Sequence, residues 1–137
     1  MMMKNEIIRI TNEEKNDILE RLDKTSCFIV EIDGSEISTV NDLFDVMEQK
    51  YDLHTSDGTW GRNWAAFSDL MTDLEWIDSK RHYLIINHFK KMLVNHKEEK
   101  ERLLHYFERT ILPFWEKDVL RVVVEGETKE FTVYLVD

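Results

Sequence analysis

The sequence contains a single cysteine, Cys27, so no disulfide can form within the chain. One free thiol without a pairing partner is typical of proteins that stay in a reducing compartment. Proline and glycine are also scarce, with one and four residues among 137. Because no stretch rich in glycine, proline or serine divides the chain, we expect one domain over residues 1–137.

Long apolar runs are missing as well. Near the start of the sequence, only Ile7 and Ile8 separate Glu6 from Arg9, which is too short for the apolar core of a signal peptide. No other run approaches the length that a membrane-spanning helix needs. These absences predict a cytoplasmic protein without a membrane partner.

Positive charge is in the minority. The chain has 18 lysines and arginines against 28 aspartates and glutamates, which gives a formal net charge of −10. Because such a surface repels the phosphates of nucleic acids, we expect no nucleic-acid partner. The same charge attracts basic proteins and accelerates encounter with them. We therefore expect a basic protein partner, and a monomer when that partner is absent.

Motifs for catalysis and cofactor binding are few. The sequence has no glycine-rich phosphate loop, no Cys-x-x-Cys and no His-Glu-x-x-His, and its histidines are scattered without a metal-ligand spacing. Asp69 and Asp73 are four residues apart and could act as an acid–base pair. However, an open helix face would keep both carboxylates ionised. We therefore predict that the protein is not an enzyme and has no cofactor or metal.

Apolar periodicity predicts strands and helices in alternation. In the first half of the chain we expect an added N-terminal helix over residues 12–23, a strand over 27–32 and a helix over 40–50. Thr11 with Glu14, and Thr39 with Asp42, have the spacing of capping boxes at the starts of the two helices. An apolar patch at residues 6–10 fits neither element clearly.

The second half continues this pattern. We expect a strand over residues 83–86, a short helix near 89–93, a longer helix capped by Asn95 with Glu98, and a C-terminal β-hairpin of strands 119–124 and 131–136. Pro113 should kink or end the longer helix. The order of elements predicts an α/β fold in which helices pack a small parallel sheet.

Residues 57–71 are the most informative stretch. Gly58 and Gly61 predict a turn that exposes Trp60, and an amphipathic helix should follow. Asp69 would lie nearly opposite the centre of the apolar stripe of this helix, and Ala65 would lie one turn before it. The stripe consists of residues at helical spacing, namely Trp64, Phe67, Leu70, Met71 and Leu74. The helix should therefore present a lone carboxylate to solvent.

Two motifs in this region resemble those of a known family. The run Gly61-x-Asn63-x-x-Ala66-Phe67-x-Asp69-x-Met71 is similar to the helix signature of the barstar family, the intracellular inhibitors of secreted ribonucleases. That family reads Gly-x-Asn-x-Asp-Ala-Leu-x-Asp-x-Leu at these positions. Upstream, Ile32-Asp33-Gly34-x-x-Ile37-x-x-Val40-x-Asp42-Leu43 resembles the family's strand, turn and first helix. The resemblance covers residues 27–112 and leaves residues 1–26 as an N-terminal extension.

The resemblance implies a barstar-like fold and an interface on the loop and helix around Asp69. A ribonuclease active site is a cationic cleft for phosphate, and an inserted carboxylate can mimic that phosphate. The resemblance makes Asp69 the inserted group and assigns supporting roles to its neighbours. Trp60 and Gly61 would shape the loop, the rim would consist of Asp73, Glu75 and Trp76, and Glu108 would add a second acid.

Three positions depart from the family pattern. Ala65 stands where that pattern has a carboxylate, Ser68 stands where the family's type inhibitor carries an aromatic residue, and Thr59 likewise replaces an aromatic residue in the loop. These changes remove anchors of the kind that dominate interfaces, so the identity of the partner is open. Two hypotheses remain: an immunity-type inhibitor that occludes a ribonuclease or related toxin, and a general acidic protein-interaction module on the same fold.

Overall fold

Four parallel strands form one sheet in the order β1-β4-β3-β2. The structure is a computed structural model that describes residues 4–137. The strands are β1 (Glu6–Ile10), β2 (Phe28–Asp33), β3 (Arg81–Asn87) and β4 (Glu130–Val136). Tyr83 of β3 is in register with Ile29 of β2 and with Thr132 of β4. The predicted α/β fold with a small parallel sheet is confirmed.

Three separate helices precede the last long one. They are α1 (Asn12–Arg21), α2 (Val40–Tyr51) and α3 (Trp64–Met71). The predicted capping boxes start the first two, because the Thr11 and Thr39 hydroxyls accept hydrogen bonds from the backbone N–H groups three residues later, each at 3.1 Å. Short 3-10 turns, Gly34–Glu36 and Phe89–Lys91, follow β2 and β3.

The fourth helical element runs without interruption over residues 97–122, and we call it the long helix. It consists of α4 (Lys97–Tyr106), two π-helical segments (Phe107–Ile111 and Phe114–Asp118) and α5 (Val119–Val122). Pro113 was predicted to kink or end this helix, but it lies between the π segments with helical backbone angles, so the helix does not end there. Proline removes one hydrogen bond of a regular α-helix, and here the helix continues in π geometry on both sides of it.

The main core lies between one face of the sheet and helices α2, α3 and the long helix. Alternate strand residues supply it, including Val30, Ile32, Leu84 and Val133, all with 4% exposure or less. Residues between them point to the other face because side chains alternate along a strand. There α1 contacts β4, and Lys15 donates a hydrogen bond of 3.0 Å to Asn87 Oδ1.

The N-terminal extension is an integral part of the sheet. Its helix α1 was predicted, whereas residues 6–10 were left unassigned. They form β1, which pairs in parallel with β4 from Glu6 opposite Thr132 to Ile10 opposite Val136. The extension therefore supplies an edge strand as well as a helix.

The predicted C-terminal β-hairpin is wrong. Residues 119–122 form α5, the last turn of the long helix, and only β4 follows. The β-branched run Val122-Val123-Val124 suggested a strand. Helical continuity with α4 and burial of Val119 at 2% exposure override that preference. The predicted Asn95 cap is also wrong, because α4 begins after His96 without a side-chain cap.

Within residues 4–137, no helix is both long enough and apolar enough to cross a membrane.

Candidate partner-binding surface

Helix α3 presents its apolar stripe to the core and its acidic side to solvent. Asn63 caps it, since its side-chain oxygen accepts a hydrogen bond of 2.9 Å from the Ala66 N–H. Phe67 and Met71 are fully buried, and Asp69 on the opposite side is exposed. The spacing of apolar residues thus predicted the faces of this helix correctly.

The Asp69 carboxylate is free to bind a cation. No side-chain hydrogen bond or ion pair within residues 4–137 involves it, and Ala65, one turn earlier, is exposed and too small to cover it. A buried helix face fixes the position of the backbone beneath it. The arrangement is therefore an accessible negative charge on a rigid support.

The loop before α3 is attached to α2. Arg62 adopts a left-handed backbone conformation with φ of 50°. Its guanidinium donates hydrogen bonds of 3.2 Å to the backbone and side-chain oxygens of Asn41 and forms an ion pair with Asp45. These contacts hold the Gly61-Arg62-Asn63 segment in place, and the exposed Gly61 lies at its start.

Trp60 lies beneath this loop. The prediction that it is exposed is wrong, because only 8% of the residue is accessible. Its indole N–H donates a hydrogen bond of 2.6 Å to Glu48, and its ring meets the Phe44 ring edge-on with the centroids 5.4 Å apart. Trp60 therefore has a structural role: it supports the loop from below and is not itself part of the accessible surface.

A smaller network orders the outer part of the same loop. The Asp57 carboxylate accepts hydrogen bonds from the Thr55 hydroxyl and from both the backbone N–H and the hydroxyl of Thr59. The Thr55 hydroxyl contributes most to lowering the pKa of Asp57, and the Thr59 N–H adds to it. The exposed Thr59 thus belongs to a turn that is held by these hydrogen bonds and that carries the anionic carboxylate of Asp57.

The remaining residues near α3 differ in accessibility. Asp73 and Glu75 are exposed, but Ser68 is only 7% exposed. Trp76 is half-buried, and its indole N–H donates a hydrogen bond of 2.7 Å to the Tyr51 carbonyl. The accessible charged residues of the predicted set are thus all acidic.

Glu108 is in a different place from the other predicted residues. It is exposed on the first π segment and lines a groove with Lys4 and with Glu6 and Arg9 of β1. None of the predicted residues around α3 lines that groove. The neighbouring Phe107 instead faces α3, with its ring centroid 6.2 Å from that of Phe67. The structure therefore does not bring Glu108 together with Asp69.

Sequence reasoning missed two acids beside the loop. Asp45 and Glu48 lie three residues apart on α2, and both face Arg62, with Glu48 also holding Trp60. The sequence shows that these two acids share one helix face, but no neighbouring residue indicates which later residue they contact.

Within the part of the chain that the structure describes, no group of three or more His, Cys, Asp or Glu residues could hold a metal ion.

Comparison with known families gives one match. The family model described as Barstar (barnase inhibitor) matches residues 27–135. The match begins where the sequence motifs suggested, and it extends past residue 112 to include the rest of the long helix and nearly all of β4. The description is that of an inhibitor family rather than an enzyme family. No curated protein and no solved structure shows a significant match to the chain.

Proposed function

The chain belongs to the Barstar family, and from this premise we propose that it inhibits a cognate ribonuclease or related toxin by occluding its active site. The observation that carries the proposal is the Asp69 carboxylate, exposed and without a partner among residues 4–137, on a helix whose other side is buried. Such a group suits a cationic cleft built to bind phosphate.

The surrounding charges suit this role. Asp73 and Glu75 are exposed next to the end of α3, and the whole chain carries a net charge of −10. Charges at the rim of an interface mainly increase the association rate, whereas a paired charge at its centre mainly slows dissociation. We assign the central role to Asp69 and the rim role to Asp73 and Glu75.

The partner differs from the family's type ribonuclease in this proposal. Ala65 replaces a carboxylate of the family pattern, Ser68 and Thr59 replace aromatic anchors of the type inhibitor and its loop, and Ser68 is buried besides. We therefore expect weak inhibition of barnase and strong inhibition of a small basic nuclease or toxin domain encoded beside this gene. Cytoplasmic action, and a monomeric state before the partner binds, belong to the same proposal.

Substitution of Asp69 tests the proposal. Asp69→Ala should leave the melting temperature nearly unchanged, because the side chain is exposed in the free protein. In the complex it leaves cationic groups of the partner unpaired, which should weaken inhibition by about 2–5 kcal/mol. Asp69→Asn keeps the shape but not the charge and should fail similarly.

Asp73→Ala is the matched control, since it removes an equally exposed acid at the rim and should change binding by only about 0–1 kcal/mol. Inhibition constants and dissociation rates against the neighbouring nuclease domain give the comparison. The alternative hypothesis, a general acidic interaction module, makes the acids interchangeable. Equal losses for Asp69→Ala and Asp73→Ala would therefore favour the module over the inhibitor.

A further inference from the structure

The end of the long helix exposes an unusual cluster of apolar side chains. Leu120, Val122, Val123 and Val124 are 61%, 66%, 45% and 93% exposed. Single exposed apolar residues are common on protein surfaces, but four within five consecutive positions concentrate apolar surface at one end of the long helix, and concentrations of exposed apolar surface occur at interaction sites. We call these four residues the valine patch.

Packing in the core does not account for the valine patch. Val122 is a weak helix former that lies in α5, and Val123 follows it with an extended backbone. The inward-facing Val119 packs into the core at 2% exposure, whereas the patch residues contribute little to it. A segment whose apolar residues are not used for burial is a place where a functional requirement is expected.

An acidic cleft of about 340 Å³ adjoins the valine patch. Its apolar floor includes Ile77, Trp115, Val119 and the patch residue Val123. Five acids line the same cleft, and all of them are exposed: Asp73, Glu75, Asp78, Glu125 and Glu127. The cleft thus combines an apolar base with a negatively charged margin.

The two lysines of the cleft do not neutralise it. Lys129 donates hydrogen bonds of 2.8 Å and 3.2 Å to the carbonyls of Ser79 and Ile77 and lies over the Trp115 ring. Lys80 is 3.5 Å from Glu127. The other acids have no ion-pair partner among residues 4–137, so the field of the cleft is negative.

We infer that the valine patch and the acidic cleft form a second docking surface, which binds an apolar protein segment flanked by lysine or arginine side chains. Apolar groups of such a segment would cover the patch, and its cations would meet the acidic margin. The surface is continuous with the proposed inhibitory one, because Asp73 and Glu75 line the cleft and follow α3 directly. The inference rests on the proposed function only for the identity of the protein that carries the segment.

Charge argues against the most obvious alternative occupant. In a symmetric dimer through this face, both copies would bring the same cleft into one interface. Five acids from each copy would then share that interface, on chains that each carry −10. Like charges brought together across an interface are strongly unfavourable. The occupant is therefore a basic partner and not a second copy of this chain.

A defined probe tests the inference without a known nuclease. The probe is a synthetic amphipathic peptide of leucine and lysine at helical spacing, titrated into the full chain while backbone amide chemical shifts are recorded. The expected result is a shift of amides at residues 73–78 and 119–129. A second peptide with serine in place of leucine, and a third with glutamate in place of lysine, should both bind much more weakly.

Paired variants assign the contact. Val122→Ser with Val124→Ser should weaken peptide binding about tenfold, because both side chains leave water on binding. Val94→Ser is the matched control, since Val94 is 51% exposed and lies outside the patch. Glu125→Gln with Glu127→Gln should also weaken binding, with Glu98→Gln as its control. All of these substitutions are at exposed positions, so the variants should keep the melting temperature of the unmodified protein, which shows that folding is retained.

Several outcomes would overturn the inference. They are absence of shifts at residues 119–129, equal binding of the serine-containing peptide, and a concentration-dependent dimer that Val124→Ser abolishes.

Asp69→Ala should leave peptide binding unchanged, which separates the two proposals. Peptide binding at the patch together with failure to inhibit any neighbouring nuclease would refute the proposed function alone. Inhibition lost with Asp69→Ala but without peptide binding would refute this inference alone.

Discussion

The indole N–H of Trp60 lies 2.6 Å from the Glu48 carboxylate and is directed onto it. This hydrogen bond joins the loop before α3 to the last turn of α2. Arg62, which lies over the Trp60 ring at 5.9 Å and pairs with Asp45, reinforces the same connection. The surface that carries Asp69 is therefore positioned by α2 as well as by its own helix.

Removal of the acceptor should destabilise the protein. Glu48→Ala leaves the Trp60 N–H without its partner and should lower the free energy of unfolding by about 1–2 kcal/mol. Glu48→Gln keeps an acceptor oxygen and should have a smaller effect. Urea denaturation measures both, with Gln49→Ala at the neighbouring exposed position as control. If Glu48→Ala and Gln49→Ala prove equally mild, the hydrogen bond does not stabilise the loop.

A buried histidine should make stability depend on pH. His82 is fully buried between the rings of Phe28 and Phe131. Burial lowers its pKa to about 4, the charge of Lys129 adds to this effect, and the Ser79 carbonyl opposes it. Because the unfolded state has the ordinary pKa of about 6.5, it binds the proton more readily than the folded state.

The sign of this effect follows from linkage. Stability is unaffected by His82 above pH 6.5 and falls as pH decreases from 6.5 toward 4, by about 2 kcal/mol at pH 5. His82→Phe should flatten the dependence on pH in this window, whereas His105→Gln at an exposed position should retain it. Urea titrations at several pH values measure the slope. A wild-type slope in His82→Phe would assign the acid sensitivity to other groups.

Gly34 is placed where no side chain fits. A Cβ atom there would lie 2.6 Å from the His88 carbonyl oxygen and 2.8 Å from that of Asn87. Because backbone atoms cannot move aside cheaply, Gly34→Ala should lower the free energy of unfolding by about 1–3 kcal/mol or more. Gly58 has φ of 89° but open space around it, so Gly58→Ala should cost only about 1 kcal/mol. Thermal denaturation ranks the two, and the reverse order would contradict the close approach at Gly34.

Salt should slow association with the cognate nuclease. The Debye length falls from about 10 Å at 0.1 M to about 3 Å at 1 M salt, so long-range attraction to a −10 surface disappears. Dissociation should change less. Asp73→Asn with Glu75→Gln should slow association more than Glu13→Gln with Glu20→Gln on α1, although each pair removes two charges. Stopped-flow rates that do not vary with salt would remove electrostatic steering from the mechanism.

Features set by local spacing were predicted well. The apolar stripe of α3, the exposure of Asp69 and the capping boxes of α1 and α2 all depend on residues within one or two helical turns. Features set by distant contacts were missed. Trp60 is buried only because Phe44 and Glu48 on α2 receive it. Likewise, five residues at 6–10 become a strand because β4 lies beside them.

The error at residues 119–124 has a different origin. Valine-rich sequence predicts a strand from local preference, and the structure places a helix end there because the long helix continues through Pro113. The Asn95 cap failed in a simpler way, since α4 begins one residue later, after His96, without a side-chain cap. Both errors concern the ends of one helix, where local signals compete with packing.

The parallel pairing of β1 with β4 has a consequence for synthesis of the protein. Glu6 and its register partner Thr132 are 126 residues apart in the sequence. At about 5–20 residues per second, a ribosome needs roughly 6 to 25 s to make the second after the first. Until β4 is made, β1 has no strand to join. By contrast, β2, α2 and α3 are complete well before the end of that interval. The surface around Asp69 can therefore begin to form on the nascent chain before the edge of the sheet is closed.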